Sequence, residues 1–271
     1  MSERDGAAEL VNARPKNAEP PQFYIEATAS LLERRPRTLK HGDTFAVFDH
    51  YGDIIPGEGS PEGLFHRDTR YLSGLQLRIN GRRPMLLSST IEDNNAVLTA
   101  HLSNPDFVSA EHVTLERDTL HIVRSKFLWG GACYERLMVH NFDIRPHAFQ
   151  LSFLFESDFA DLFEVRGNHR PRRGRYSAES RPPGTAIMRC LGLDGVERRI
   201  ALNFDPSPAK LSERQARFDC RLLPGERTTF LVNATCSEHA REELRPGRFF
   251  VCLRMARRQL HRSTARVASA E

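Results

Sequence analysis

No apolar run in the 271 residues approaches the ~18–20 that a bilayer-spanning helix needs, so a helical membrane anchor is not expected. Glycine-rich phosphate loops, the G-x-S-x-G nucleophile elbow and the H-E-x-x-H metal helix are all missing. Their absence removes the common nucleotide-dependent, serine-hydrolase and zinc-protease classes. Cysteine is scarce: the five residues (Cys133, Cys190, Cys220, Cys236, Cys252) are odd in number and form no C-x-x-C pair. Neither a disulfide framework nor a zinc site is expected, and no cofactor is implied. The charge excess is also small, 39 basic against 35 acidic residues. The basic runs at 170–175 and 254–262 lack interleaved aromatics apart from Tyr176, so they read as solvated segments and nucleic acid is not an expected partner.

What the chain does contain is a period of two. Leu75, Leu77 and Ile79 alternate with polar residues before Asn80-Gly81, which suits a type I′ turn. This predicts a hairpin with Ile79 opposite Arg82, Leu77 opposite Pro84 and Leu75 opposite Leu86. A second hairpin is predicted around Arg117-Asp118, with Leu115 opposite Leu120 and Val113 opposite Ile122. Phe149, Leu151, Phe153 and Phe155 alternate without interruption. Asp194-Gly195 precedes a strand that puts Ile200, Leu202 and Phe204 on one face, and Pro224-Gly225 fits the central pair of a type II turn. Many short strands and little helical periodicity predict an all-β, antiparallel sandwich of the supersandwich kind.

The period changes only near the end. Phe249, Leu253, Ala256 and Leu260 fall at steps of four, three and four, which predicts an amphipathic helix over 249–260. Its apolar stripe is expected to be only partly covered and to await a partner helix. The resulting division is a disordered leader (1–37), a sandwich (38–245), and a linker helix with a basic tail (246–271). The leader "MSERDGAAELVNARPKNAEPPQ" has no apolar stretch of signal-peptide type, and a cytoplasmic location is expected.

Two charged clusters are candidate sites. In the first, His66, Arg67, Asp68 and Arg70 precede the Leu75 strand; arginine forks and a carboxylate could tie strands together or hold a ligand. In the second, Asp158, Asp161, Glu164 and Arg166 are interleaved with Phe155, Phe159, Leu162, Phe163 and Val165. Glycoside hydrolysis needs two carboxylates facing each other across a sugar, and the sequence offers carboxylates without their geometry. Both clusters therefore read first as structural or domain contacts and second as sugar contacts, with no catalytic residue assigned.

The stretches "TFAVFDHYGDI" (44–54), "GLFHRDTRYLSGLQLRINGRRPMLLSS" (63–89) and "SDFADLFEVRG" (157–167) resemble the amino-terminal domain of bacterial glycogen debranching enzymes of the amylo-α-1,6-glucosidase type. The resemblance covers about positions 38 to 235. It implies a β-sandwich joined by a helical linker to an (α/α)6 catalytic barrel that holds the acid and base carboxylates. The sequence looks like that family without the barrel, with a final helix similar to the start of the linker, as in a truncated or separately encoded half. The expected role is an accessory glycoside-hydrolase domain that packs on a barrel in cis or in trans and contacts α-glucan. Two alternatives stand beside it: a self-contained, mutarotase-like epimerase using a histidine and a carboxylate, and a basic polyanion-binding module.

Overall fold

A computed structural model describes residues 36–57, 59–92, 95–109, 112–170, 172–236 and 249–259. Nearly all of the expected leader and the chain from Leu260 onward lie outside the described residues. The first strand, β1 (Arg37–His41), already opens at Arg37.

The fold is an antiparallel sandwich, as the alternation predicts. β1, β2 (Thr44–Phe48), β3 (Gly63–His66) and β4 (Thr69–Leu72) form a four-stranded sheet in sequence order. The chain then supplies β5 (Gly74–Ile79), β6 (Met85–Ile91), β7 (Leu98–Ser103), β8 (Phe107–Ser109), β9 (His112–Leu115), β10 (Leu120–Trp129), β11 (Ala132–Asn141) and β12 (His147–Glu156). A one-turn helix, α1 (Leu162–Val165), follows. After it come β13 (Arg175–Arg181), β14 (Thr185–Leu191), β15 (Glu197–Asp205), β16 (Lys210–Leu211), β17 (Gln215–Leu222) and β18 (Arg227–Thr235). The main layer has eight strands in the order β13-β14-β15-β18-β11-β10-β7-β6, and the facing layer has four in the order β16-β17-β12-β5.

The core lies between these layers. Phe149, Leu151, Phe153 and Phe155 on β12 share one buried cluster with Ile200, Leu202 and Phe204 on β15. The Phe204 ring sits 5.9 Å from both Phe153 and Phe155 and 6.1 Å from Phe218, so one aromatic from the large sheet is wedged among three from the small one. Such tilted and edge contacts are the favoured arrangement of aromatic quadrupoles.

The four expected turns form where the sequence puts them, but they do not all make hairpins. Asn80 and Gly81 both have positive φ, and the Ile79–Arg82 pair closes as expected. Beyond that pair the strands part: β5 goes to β12, with Leu77 opposite Phe153, and β6 goes to β7. Leu77–Pro84 and Leu75–Leu86 therefore never meet. Pro224-Gly225 likewise makes its type II turn, with Glu226 N–H bonded to Leu223 O at 3.0 Å, yet β17 and β18 belong to opposite layers. The turn at Arg117-Asp118 also joins strands that do not pair, since β9 pairs with β8 and β10 with β11 and β7. Only Asp194-Gly195 closes a true hairpin, β14–β15. Each sheet-switching turn carries the chain across the core, which lets both flanking strands bury their apolar faces in it from opposite sides.

The late helix, α2, spans 249–259 among the described residues, and its inner side is covered. Phe249 and Ala256 are each 2% exposed, and both pack with Cys252 against Phe127, Tyr134 and Leu231 on the outer face of the large sheet. The Phe127 and Phe249 rings meet edge-on at 5.1 Å. The expectation of a stripe only partly covered and awaiting a partner helix is therefore corrected for Phe249 and Ala256, which are buried on their own sheet with Leu253 partly buried beside them, while Leu260 lies outside the described residues. Phe127 on β10 points away from the sandwich core and needs cover of its own, and α2 supplies it.

Candidate functional site

The structure brings the two charged clusters together. Arg70 N–H donates to Ala160 O at 2.8 Å and Leu162 N–H donates to Asp68 O at 3.1 Å, so the start of β4 runs beside the segment that leads into α1. The Arg70 guanidinium forks onto Asp158, with Nε at 3.1 and 3.2 Å from its two oxygens, while Nη1 donates to Ser60 O at 2.8 Å. Arg70 is able to lie there because residue 63 is glycine: a Cβ on Gly63 would fall 2.6 Å from Arg70 Cδ.

Asp161 and Glu164 have a local duty first. Asp161 is the N-cap of α1 and accepts from the Phe163 and Glu164 N–H groups, both at 2.9 Å, while Glu164 accepts from Asp161 N–H at 3.1 Å. This reciprocal capping box satisfies donors that the short helix would otherwise leave orphaned. Arginines from the following loop then close over both acids, Arg170 on Asp161 and Arg173 on Glu164 at 3.3 Å.

Between these groups and the β14–β15 loop lies a cleft of about 200 Å³. Its walls include Asp158, Phe159, Asp161, Glu164, Arg172 and Arg198. That is below the ~300–1,000 Å³ typical of pockets that engulf a drug-sized ligand, so it suits one ring or one end of a longer molecule. Across the cleft, Arg198 and the Val196 N–H bring the Asp194 carboxyl down to about 2. Burial pushes up the pKa of Cys190, another wall residue. Phe159 has φ of +49°, rare for a bulky side chain, and its ring is held 5.5 Å from that of Tyr71. Asp158, Asp161, Glu164 and Asp194 each have an arginine partner, so the cleft offers alternating charge rather than a bare pair of acids.

The remaining candidates stand outside the cleft. His66 Nδ1 lies 2.8 Å from Thr44 Oγ1, and burial, followed by the nearby Arg67, depresses its pKa. Arg166 is exposed on the C-cap of α1. Arg67 and Asp68 are the exposed central residues of the tight β3–β4 turn, with φ of +45° and +62°. An internal ion-pair network through Arg67 and Asp68 is therefore corrected: Arg70 makes the tie. Arg67→Ala is expected to shift unfolding free energy by under about 1 kcal/mol, and the Arg67→Asn, Asp68→Gly double variant to gain up to about 1 kcal/mol by matching the turn. Urea denaturation measures both; a loss above about 2 kcal/mol for Arg67→Ala would restore the network reading.

Residues 39–233 match the family described as the N-terminal domain of (some) glycogen debranching enzymes. The chain belongs to this family. No curated protein matches this debranching-enzyme N-terminal domain in sequence. Among solved structures it is similar to a chain described as a kojibiose phosphorylase from the human microbiome, at 8% identity and TM-score 0.46, covering 83% of this chain and 33% of that one. It is also similar to a galactose mutarotase-like protein from Lactobacillus casei, at 10% identity and TM-score 0.40, covering 74% and 100% of the two chains. The debranching-enzyme N-terminal domain thus spans a third of the length of the first of these.

A second group of charged residues was not anticipated from the sequence. Arg124 and Lys126 on β10 and Glu135 on β11 point into the sandwich and are at most 1% exposed. Arg124 Nε donates to Glu135 at 2.6 Å, Lys126 pairs with the other Glu135 oxygen, and Arg124 also reaches Asp53. Arg83 joins the group through Asp53 and Asp49 and lies 3.7 Å from the Tyr51 ring centre. The signal in the sequence was the placing of Arg124 and Lys126 in phase with the core residues Leu120 and Ile122, where only partnered charges can be buried.

Proposed function

We propose that this domain is an accessory module of an α-glucan debranching system, holding a glucan end in the cleft beside α1 and serving as a scaffold for a helical glucosidase domain. The observation that carries the reading is a cleft of paired charges lined by Asp158, Phe159, Asp161 and Glu164, to which the 63–70 stretch contributes Thr69 at the wall and Arg70 as the brace of Asp158. Fixed arginine–carboxylate pairs present donors and acceptors side by side, which is what vicinal sugar hydroxyls require. Asp158, Asp161 and Glu164 are each already engaged by an arginine, which is not the arrangement of two free carboxyl groups facing each other across a sugar that glycoside hydrolysis uses.

The purified chain is accordingly expected to bind glycogen in affinity electrophoresis and to release no glucose from it. Arg172→Ala and Phe159→Ala should each weaken binding about tenfold, the effect of losing roughly 1.4 kcal/mol of contact. Unchanged glycogen retention in both variants would remove the cleft from the proposal. Glucose release abolished by Asp161→Asn or Glu164→Gln would make the cleft an active site, and anomer interconversion by the purified chain would favour the epimerase reading.

A further inference from the structure

At the β13 end of the large sheet, the outer face is crowded with arginines. Met188 on β14 and Ile200 and Leu202 on β15 lie in the core, so their neighbours Arg189 and Arg199 point outward. The strand register sets Arg189 directly opposite Arg199, and like charges in that position destabilise a sheet. Glu179 on the edge strand β13 relieves two arginines, pairing at 2.7 Å with both Arg181 and Arg189. Glu197 stands 3.7 Å from Arg189 Nε, beyond hydrogen-bond reach. Arg199 is left over. It is half-buried and makes no ion pair among the described residues, and its Nε is buried with no hydrogen-bond partner. Burial, then Arg189 and Arg181, pull its pKa below the ordinary arginine value, which Glu179 and Glu197 offset only in part. A recess of about 410 Å³ opens beside it, lined by Gly195, Val196, Glu197 and Arg199.

We propose that Arg199 and Arg189 form, at the edge of this recess, a receptor for one phosphoryl group, carried as inorganic phosphate or as a sugar ester. An oxyanion between the two guanidiniums turns their repulsion into two attractions and gives the unpartnered Arg199 an acceptor. Phosphate suits the pair better than carboxylate does. A single guanidinium fork occupies both oxygens of a carboxylate, whereas a tetrahedral phosphoryl group has oxygens for a fork from each strand. The recess beside Arg199 leaves room for the rest of an ester. Charge also limits the ligand: three arginines (Arg181, Arg189, Arg199) against two glutamates (Glu179, Glu197) leave one excess positive charge. That excess suits one small anion and not the run of phosphates along a nucleic acid. The receptor lies on the opposite face of the β14–β15 hairpin from the cleft, whose wall takes the adjacent Arg198, and it does not depend on the glucan reading.

The test titrates the full chain calorimetrically with inorganic phosphate, glucose 6-phosphate and glucose at constant ionic strength. The wild-type chain should take up one phosphate. Arg199→Met should weaken that binding at least about tenfold, and Arg199→Lys, which keeps the charge and loses the fork, should weaken it severalfold. Arg227→Met removes the same charge from an exposed position on β18 and should leave binding unchanged. Phosphate should raise the melting temperature of the wild-type chain and not that of Arg199→Met. Without phosphate, Arg199→Met should melt no lower than wild type, because the substitution removes a like-charge contact. Glycogen retention should be the same in wild type and Arg199→Met. Tighter binding of glucose 6-phosphate than of phosphate assigns the receptor to an ester, and the reverse order assigns it to the free ion; both support it. No phosphate binding by the wild-type chain, or an equal loss in Arg199→Met and Arg227→Met, overturns the receptor. So does glucose bound as tightly as glucose 6-phosphate. A fall of several degrees in Arg199→Met without phosphate makes Arg199 a brace of the sheet and also overturns it.

Discussion

Glu135→Gln is expected to destabilise the fold by about 3–5 kcal/mol, a large share of the ~5–15 kcal/mol that holds a typical domain folded. The replacement keeps the shape of the side chain and removes its charge, leaving Arg124 and Lys126 inside the sandwich with Asp53 as the remaining buried counter-charge. Burial alone would push the Glu135 carboxyl up, but Arg124 and Lys126 more than reverse it and hold the group below the ordinary carboxylate range. Lys126 ends lower than an ordinary lysine because burial outweighs the pull of Glu135. A carboxylate depressed in the folded state adds stability above its unfolded pKa of 4.5, and that stability is lost as pH falls through the lower folded value. Urea midpoints at neutral pH should therefore drop in Glu135→Gln, and this part of the acid sensitivity should vanish with the charge. Lys126→Met combined with Glu135→Leu should be less damaging than Glu135→Gln alone, because it removes a cation and an anion together and leaves Arg124 on Asp53. A double variant as unstable as the single one would show that shape, not unpaired charge, governs this region.

Turns and alternation were legible in the sequence because both are local. Asn80-Gly81 and Pro224-Gly225 adopt their turn geometry whatever the flanking strands do next. Pairing is decided elsewhere: after Arg82 the chain is drawn off by Arg83, which binds Asp49 and Asp53, and β5 finds a better apolar partner in the Phe153 and Phe155 face of β12. The helix was legible as a period, but which side is covered depends on Phe127 and Tyr134, outward residues of strands more than a hundred positions earlier. The cleft was legible as two clusters and not as one site. Arg70 and Asp158 are 88 residues apart, and the sequence marks neither as the other's partner. The buried charges were hidden for the same reason, since Asp53 and Arg124 are separated by 71 positions.

Arg70→Ala should be the most informative change at the cleft, with an expected loss of about 3 kcal/mol in unfolding free energy. The arginine is 9% exposed in its side chain and Asp158 25%, so the pair is desolvated enough for the remaining carboxylate to be left partly buried and uncompensated. The same substitution strips the Ser60 carbonyl of its donor. Arg70→Lys should recover little, because an ammonium cannot reproduce the fork onto both Asp158 oxygens while also reaching Ser60. Arg70→Met with Asp158→Leu should recover part of the loss, since no charge is then stranded. For a domain of this size each kcal/mol corresponds to roughly 2–4 °C, which places the expected fall in melting temperature for Arg70→Ala at about 6–12 °C. Glycogen retention should fall in parallel in Arg70→Ala, because Asp158 and Phe159 lose the tie that positions them. An unchanged melting temperature with abolished retention would instead make Arg70 a direct ligand contact, and the cluster a binding element rather than a brace between strands.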